Sequence, residues 1–358
     1  MLSSKLLPAS RILRASGSSL SSSRRRTLAT VASSNVVNIV EVGPRDGLQN
    51  EKGSVIPVDT KIELINRLAK AGAMNIEAGS FVSPKWVPQM GGTADVIKGI
   101  RPLPNVHYAV LVPNKRGLDD LISLLDQHTS HPSLSDEISI FTAATDQFTR
   151  ANLNCTTAES LERLAPVAKA AVNRGLRVRG YVSVAVACPY TGKVDYKRTR
   201  EVAAKLRDMG CYEISLGDTV GQGRPWEVAE MIEEVKKEVE VEMLAGHFHD
   251  TYGTAVSNVL TALQHGIRTI DSSVGGLGGC PYSPGATGNV ATEDVLYALQ
   301  DSQYKVAGSA NGTINLEQMV DIGWWISEKL GRESVSRAGR AIRARRRREA
   351  EQKVKSKL

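Results

Sequence analysis

Two histidines separated by one residue, His247 and His249, are the part of the sequence best suited to hold a metal ion. The segment from Leu244 to Phe248 has the apolar character of a short β-strand, and successive side chains on a strand point to opposite faces. The two imidazoles therefore share one face, and Phe248 points to the other. Neutral imidazoles bind metals, so this pair predicts a cation site. Two hydrogen-bonded histidines in a polar pocket would give the same pattern.

A carboxylate and an amide complete this candidate site. Asp46 directly follows the first predicted strand, and strands one, seven and eight are neighbours if the sheet closes into a barrel. Asn289 can add an amide oxygen, and nitrogen and oxygen ligands without a thiolate favour Mg²⁺, Mn²⁺ or Zn²⁺. Spacing leaves three further acids open, either as ligands or as groups that orient ligands: Glu77, Asp218 and Asp250.

Arg45 places a fixed cation beside Asp46. Its guanidinium can hold a substrate carboxylate or stabilise the oxygen of a developing enolate. A surface salt bridge is the alternative interpretation.

Four glycines precede Cys280 in the stretch GGLGGC, residues 275–280. No GxxxxGK[ST] pattern is present, so the stretch predicts a lid that carries Cys280 over a bound substrate rather than a nucleotide loop. Many free cysteines are small buried apolar residues, but a glycine-rich loop is a poor place to bury one. With no CxxC pair, the cysteines indicate reduced thiols in an intracellular compartment. We interpret the other three as structural: Cys155, Cys188 and Cys211.

The candidate residues follow the ends of strands in a regular alternation of apolar strands and helical periodicity. Eight strand–helix units between residues 37 and 299 predict an α/β fold, a (β/α)₈ TIM barrel, whose functional side chains collect at the carboxyl ends of the strands. A doubly wound open sheet is the alternative, but no glycine-rich dinucleotide fingerprint follows the first strand. The predicted strands are 37–42, 75–81, 107–112, 137–141, 177–186, 212–216, 244–248 and 269–274. The predicted helices are 60–71, 117–125, 157–174, 196–209, 225–239, 254–264 and 292–299, with an extra C-terminal helix at 315–330.

The positive charge belongs to the two ends of the chain. The net charge is +7, but residues 1–34 carry +6 and residues 332–358 carry +8, which leaves −7 on residues 35–331. A nucleic-acid binder should have a basic folded domain, so we expect no nucleic-acid partner. No apolar run is long enough to span a membrane. The Arg345–Arg348 run predicts a solvated tail, with contact to RNA or anionic lipid as the alternative.

Both ends also carry addressing signals. Residues 1–34 are rich in Ser and Arg and contain no acid, which predicts a disordered mitochondrial transit peptide. The chain ends in Ser356-Lys357-Leu358, the peroxisomal signal. We therefore expect a catalytic domain over 35–331, a basic tail over 332–358, and localisation to the mitochondrial matrix and also the peroxisome.

Six stretches resemble the 3-hydroxy-3-methylglutaryl-CoA lyase family of TIM-barrel, DRE-type metallolyases. They are VGPRDGLQNEK at 42–52, SFVSPKWVPQM at 80–90, RGYVS at 179–183, CYEISLGDT at 211–219, HDTYG at 249–253 and GLGGCPY at 276–282. The resemblance implies a homodimeric lyase that depends on Mg²⁺ or Mn²⁺. It would split the acyl-CoA substrate (S)-3-hydroxy-3-methylglutaryl-CoA into acetyl-CoA and acetoacetate, in leucine degradation and ketone-body formation.

The resemblance also implies roles for individual residues. The metal ligands would be Asp46, His247, His249 and Asn289; the catalytic residues Cys280, Arg45, Glu77 and Asp218; and the substrate-binding residues Arg45, Gln49, Tyr181 and Thr219. The chain departs from the family at Gly275, which is usually Ala, and at Ala78-Gly79, which replaces a bulkier pair.

Two other functions remain open. A Claisen condensing enzyme of the isopropylmalate or homocitrate synthase type would share the His and Asp ligands, but such enzymes usually have an extra C-terminal region and are not expected to carry Cys280. The second is a barrel without catalytic activity that binds RNA or a membrane through Arg345–Arg348.

Overall fold

The computed structural model describes residues 35–128, 133–279, 288–309 and 311–356. Of the predicted features, the transit peptide, Cys280 and the last two residues of the terminal tripeptide lie outside this part of the chain. These described residues belong to one compact unit.

Eight parallel strands form a closed barrel. The first barrel strand pairs with the second on one side and with the last on the other, so the open doubly wound sheet is wrong. The barrel strands are β1 (Val36–Glu41), β2 (Asn75–Ser80), β3 (His107–Leu111), β4 (Glu137–Ala143), β5 (Arg177–Ser183), β8 (Glu213–Asp218), β9 (Leu244–Phe248) and β10 (Thr269–Ser272). Between and after them lie a hairpin, β6 (Ala187–Cys188) and β7 (Gly192–Lys193), and β11 (Lys305–Val306), which pairs with the start of β1.

Helices follow the strands around the barrel, as the periodicity predicts. Their amphipathic faces bury apolar side chains against the sheet, for example Leu64, Ile65 and Leu68 of the first helix. The helices are α1 (Val58–Lys70), α2 (Thr93–Gly99), α3 (Lys115–Gln127), α4 (Asp146–Leu153), α5 (Thr157–Asn173), α6 (Tyr196–Asp208), α7 (Pro225–Val235), α8 (Ala255–Gln264), α9 (Thr292–Leu299), α10 (Leu316–Lys329) and α11 (Arg337–Lys355).

Three helices escape the sequence prediction. Both α2 and α4 are too short for a clear apolar period, although Thr145 caps α4 through the N–H of Phe148. Helix α11 was not predicted because the tail is strongly basic and shows no clear apolar period. The three free cysteines among the described residues are buried, as expected: Cys155, Cys188 and Cys211.

The first part of the basic tail packs on the barrel, which differs from the prediction of a solvated tail. Asp294 of α9 caps α11, since its carboxylate accepts hydrogen bonds from Ser336 Oγ at 2.7 Å and from the Ala338 N–H at 2.7 Å. Ile342 is buried, and the N–H of Val335 donates to the carbonyl of Gly275. The end of α11, residues 347–355, is exposed.

The arginines of the tail are largely engaged within the chain. Arg345 and Arg346 both pair with Glu317 of α10, and Arg343 pairs with Glu328 and stacks on Trp324. These contacts engage the first two arginines of the Arg345–Arg348 run within the chain. No helix in the described ranges is long and apolar enough to cross a membrane.

We predict that ending the chain after Gly331 lowers the melting temperature, because this truncation leaves the carboxylate of Asp294 without its donors on α11. Hydrogen bonds to a charged group contribute about 1.5–3 kcal/mol, and the truncation also exposes the apolar surface that Ile342 covers. The matched control ends the chain after Arg346, which keeps the cap, Ile342 and the pairs with Glu317. Thermal unfolding followed by circular dichroism tests this prediction, and equal melting temperatures for the two truncations would contradict it.

Candidate active site

Asp46, His247 and His249 meet at the carboxyl ends of β1 and β9. One ligand atom from each lies within 4.8 Å of the others, and the two imidazole ring centroids are 5.4 Å apart. Phe248 is buried, on the opposite face of β9. The prediction that the two histidines share one face and meet Asp46 is therefore confirmed.

Backbone pairing at the end of β9 brings Asn289 to the same place. The N–H of Val290 donates to the carbonyl of Phe248 at 2.9 Å, and His249 and Asn289 form an isolated β-bridge. Asn289 Nδ2 then donates to Asp46 Oδ2 at 2.8 Å. The structure thus gathers all four predicted ligands.

Two buried atoms of this cluster have no hydrogen-bond partner among the described residues, namely Asn289 Oδ1 and His249 Nδ1. Leaving a buried polar atom without a partner costs about 1–3 kcal/mol. A divalent cation would satisfy an amide oxygen and an imidazole nitrogen together. The residues present therefore fit a divalent cation with mixed nitrogen and oxygen ligands.

The charge states of the cluster also suit a cation. Burial opposes ionisation of Asp46, but the guanidinium of Arg45 and the two imidazoles outweigh it and hold the pKa of Asp46 at about 2. Burial, together with the neighbouring His247, lowers the pKa of His249 to about 4. At neutral pH the chain thus offers an ionised carboxylate and a neutral imidazole, which are the forms that bind metals.

Glycines allow the turn after β1 to pack directly on the glycine loop. Arg45 and Asp46 lie in a five-residue π-helical turn, Gly43–Gly47, and such turns are frequent at functional sites. A Cβ on Gly47 would lie 2.7 Å from Leu277 Cβ, and one on Gly278, which has φ +129°, would lie 2.9 Å from Asn289 Nδ2. The base of the loop is therefore part of the site.

The loop is also tied to the turn by a side chain, since Asn50 Nδ2 donates to the carbonyl of Gly279 at 2.8 Å. Cys280 is the next residue and lies outside the described part of the chain, so its place over the site stays a prediction.

Arg45 is buried between two carboxylates, and the surface salt bridge is therefore wrong. Its Nη1 lies 2.7 Å from Asp46 Oδ1, and its Nε donates to Glu77 Oε2 at 2.7 Å. Burial opposes its charge, but Glu77 and Asp46 raise the pKa of Arg45 above its usual range. The centroid of the Tyr181 ring lies 5.4 Å from the guanidinium carbon of Arg45. The site thus contains a permanent cation beside the candidate metal ligands.

The remaining candidate acids have other partners. Asp218 accepts hydrogen bonds from the N–H groups of Gln222 and Gly223, and burial outweighs these bonds to raise its pKa to about 6. Asp250 caps α8 through the N–H of Ala255 and pairs with Arg337, so it is not a ligand in this arrangement.

Among the predicted substrate-binding residues, Thr219 makes a hydrogen bond that stabilises the neighbouring backbone. Its hydroxyl accepts a hydrogen bond from the N–H of Val184 at 2.8 Å. Val184 has φ +50°, which is rare for a β-branched residue, so this bond helps to hold a strained segment at the rim. Gln49 is half-buried at the end of the turn that carries Asp46.

Sequence reasoning missed Asp271, which lies in β10 and contacts His247. Its Oδ2 is 3.1 Å from His247 Nδ1, and it also pairs with Arg179 of β5. The signal in the sequence was an acid in the middle of a predicted strand.

Two further buried acids hold the base of the glycine loop. Glu41 Oε1 accepts hydrogen bonds from the N–H groups of Gly43 and Val274, and its Oε2 accepts one from Thr292. Glu293 accepts from the N–H of Gly275. Burial raises the pKa of Glu41 to about 7 and that of Glu293 to about 8.

We predict that Glu41→Gln reduces the loss of stability that occurs as the pH rises from about 4.5 to about 7. The folded chain holds the proton on Glu41 up to about pH 7, whereas the unfolded chain releases it near 4.5, so this stability is present below pH 4.5 and falls as pH rises through 7. Between pH 5.5 and 8.5 the wild-type chain should lose on the order of 2 kcal/mol more than the variant.

Denaturant unfolding at several pH values measures this difference. Glu63→Gln is the matched control, because Glu63 is exposed on α1 and pairs with Arg67. Parallel pH profiles for the wild-type chain and Glu41→Gln would contradict the prediction.

The comparisons of the sequence and of the structure with known proteins agree on one family. The HMGL-like family model matches residues 36–326, a range that includes all four candidate ligands. The chain is 49% identical over 305 residues to the mitochondrial hydroxymethylglutaryl-CoA lyase of Mus musculus, covering 85% of this chain and 89% of that one. It is 47% identical over 313 residues to the hydroxymethylglutaryl-CoA lyase of Pseudomonas mevalonii, covering 87% and 99%. The crystal structure of hydroxymethylglutaryl-CoA lyase from Pseudomonas aeruginosa matches with a TM-score of 0.80 at 48% identity, covering 87% and 98%.

Proposed function

Because this chain belongs to the HMGL-like family, we propose that it is a lyase that cleaves 3-hydroxy-3-methylglutaryl-CoA into acetyl-CoA and acetoacetate. The observation that carries this function is the group of Asp46, His247, His249 and Asn289 beside the buried Arg45, in a chain about 48% identical to lyases of that name. A Claisen condensing enzyme is not favoured, because the relatives described above are lyases. The products belong to leucine catabolism and ketogenesis.

The four gathered residues would hold a divalent cation, which we propose to be Mg²⁺ or Mn²⁺. When bound, such an ion supplies Lewis-acid polarisation of substrate oxygens. The unpartnered Asn289 Oδ1 and His249 Nδ1 support this assignment.

The cleavage takes one proton from the C3 hydroxyl, moves the electron pair of the C2–C3 bond, and adds one proton to the acetyl carbon. The C3 hydroxyl loses its proton to a base, either Asp46 or a group that Asp46 orients. The C2–C3 bond then breaks, and its electron pair moves onto the thioester as an enolate. Arg45 stabilises the enolate oxygen, since its guanidinium is buried and permanently charged beside the ligands. Glu77 positions Arg45 through the bond to Nε.

Cys280 would return a proton to the acetyl carbon as general acid. Asn50, which binds the carbonyl of Gly279, supports a place for the adjacent cysteine near the site. Closure of the loop would exclude water while the enolate exists. Gln49, Tyr181 and Thr219 would contact the acyl-CoA, and Asp218 would support them from the rim.

The location that we propose rests on the names of the relatives and on the two terminal segments. The mitochondrial names of the vertebrate relatives and the acid-free segment 1–34 support a mitochondrial protein with a transit peptide. We propose the peroxisome as a second destination, from the terminal Ser356-Lys357-Leu358 alone. We also propose that the catalytic unit is a homodimer.

We predict that the purified protein with Mg²⁺ releases acetoacetate and acetyl-CoA in equal amounts, and that a chelator abolishes turnover. His249→Ala should lower kcat by about a thousandfold or more, because it removes a ligand. His265→Ala is the matched control, since His265 lies outside the ligand group and pairs with Glu233. Coupled detection of both products makes the measurement.

Two results would contradict this function. One is the absence of acetoacetate at saturating metal and substrate. The other is near-normal turnover in His249→Ala.

A further inference from the structure

Asp271 lies directly beneath the metal-binding residues. It is 1% exposed, and its carboxylate accepts hydrogen bonds from Arg179 at 2.7 and 3.2 Å and from Ser215 Oγ at 2.7 Å. His247 Nδ1 is the fourth contact, 3.1 Å from Asp271 Oδ2. Both carboxylate oxygens are therefore engaged, and one of them touches a proposed metal ligand.

The arginine fixes this carboxylate from across the barrel. Arg179 lies in β5, and two strands, β8 and β9, separate β5 from β10 in the sheet, so the pair of Arg179 with Asp271 spans the barrel interior. The other side of the guanidinium is held by Glu213, since Arg179 Nε donates to Glu213 Oε1 at 2.6 Å. The forked contact between Arg179 and Asp271 sets the orientation of the carboxylate as well as its charge.

The charge of Asp271 determines which nitrogen of His247 carries the hydrogen. The forked ion pair with the guanidinium of Arg179 and the hydrogen bond from Ser215 Oγ stabilise the ionised carboxylate of Asp271. An ionised carboxylate only accepts hydrogen bonds, so Nδ1 of His247 must be the donor. In the neutral ring the lone pair is then on Nε2, which lies 3.9 Å from Asp46 Oδ2.

We propose that Asp271 is a positioning residue that holds His247 in the Nδ1-protonated tautomer, with the Nε2 lone pair directed to the divalent cation. This inference rests on the metal site of the proposed function. It applies to one histidine only, because His249 Nδ1 has no such partner among the described residues. Arg179 acts through Asp271, and neither residue needs to touch the substrate.

Binding of Mn²⁺ to the metal-free full chain, followed by electron paramagnetic resonance of the free ion, tests the inference without turnover. Asp271→Asn places an amide that can donate to Nδ1, which favours the wrong tautomer, and the affinity for Mn²⁺ should fall about 10–100-fold. Glu213→Gln is the matched control, because it neutralises the other carboxylate on Arg179 without touching His247. Its affinity should stay within about threefold of the wild-type value.

Three outcomes would overturn the inference. Unchanged Mn²⁺ affinity in Asp271→Asn would do so while the lyase function stands. Equal losses of Mn²⁺ affinity in Asp271→Asn and Glu213→Gln would show that the loss comes from the ion pairs of Arg179 and not from the tautomer of His247. Failure of the unsubstituted chain to bind Mn²⁺ would remove the metal site of the proposed function, and the inference with it.

A second measurement needs no stable Asp271 variant. In the metal-free wild-type chain with ¹⁵N-labelled histidine, nuclear magnetic resonance distinguishes the two tautomers, and the signal of His247 is the one lost in His247→Gln. The inference requires a protonated Nδ1 and a bare Nε2 on this ring. A proton on Nε2 would contradict it.

Discussion

The site depends on the closure of the barrel between β1 and β10. Asp46 follows β1, whereas His247 and His249 lie at the end of β9, some two hundred residues later in the chain. The register pairs Val40 with Asp271 and Asp271 with His247, so the three strands stand side by side. Parallel strands end at one edge of the sheet, and closure turns that edge into a rim on which distant residues meet.

Beneath this rim the barrel contains charge where a packed barrel usually has aliphatic layers. Arg45 lies between Asp46 and Glu77, and Arg179 between Glu213 and Asp271. Each buried guanidinium is therefore matched by two carboxylates. Such arrangements contribute little net stability, but the loss of one partner is costly. Their effect is to hold the candidate ligand side chains in one orientation.

The parts of the site that sequence could predict are those that depend on local periodicity. The alternation of a strand places His247 and His249 on one face, and the eight repeated units place Asp46 near them. The role of Asp271 could not be predicted, because its partner Arg179 lies across the barrel and no local pattern records that contact. The helix α11 was missed although Ser336 caps it locally, because the tail is strongly basic and its contacts with Asp294 and Glu317 belong to other helices. The high arginine content of α11 reflects its solvent-exposed face. The few small and apolar residues that pack against the rest of the chain give little signal in the composition.

The proposed four-residue metal site is tested most directly by growing crystals with Mn²⁺ and collecting diffraction data at an X-ray energy where manganese scatters anomalously. We predict one strong anomalous peak at the rim, with Asp46, His247 Nε2, His249 and Asn289 Oδ1 at about 2.0–2.3 Å from the ion. A peak held instead by Asp218 or Asp250, or no peak at this cluster at saturating Mn²⁺, would contradict it.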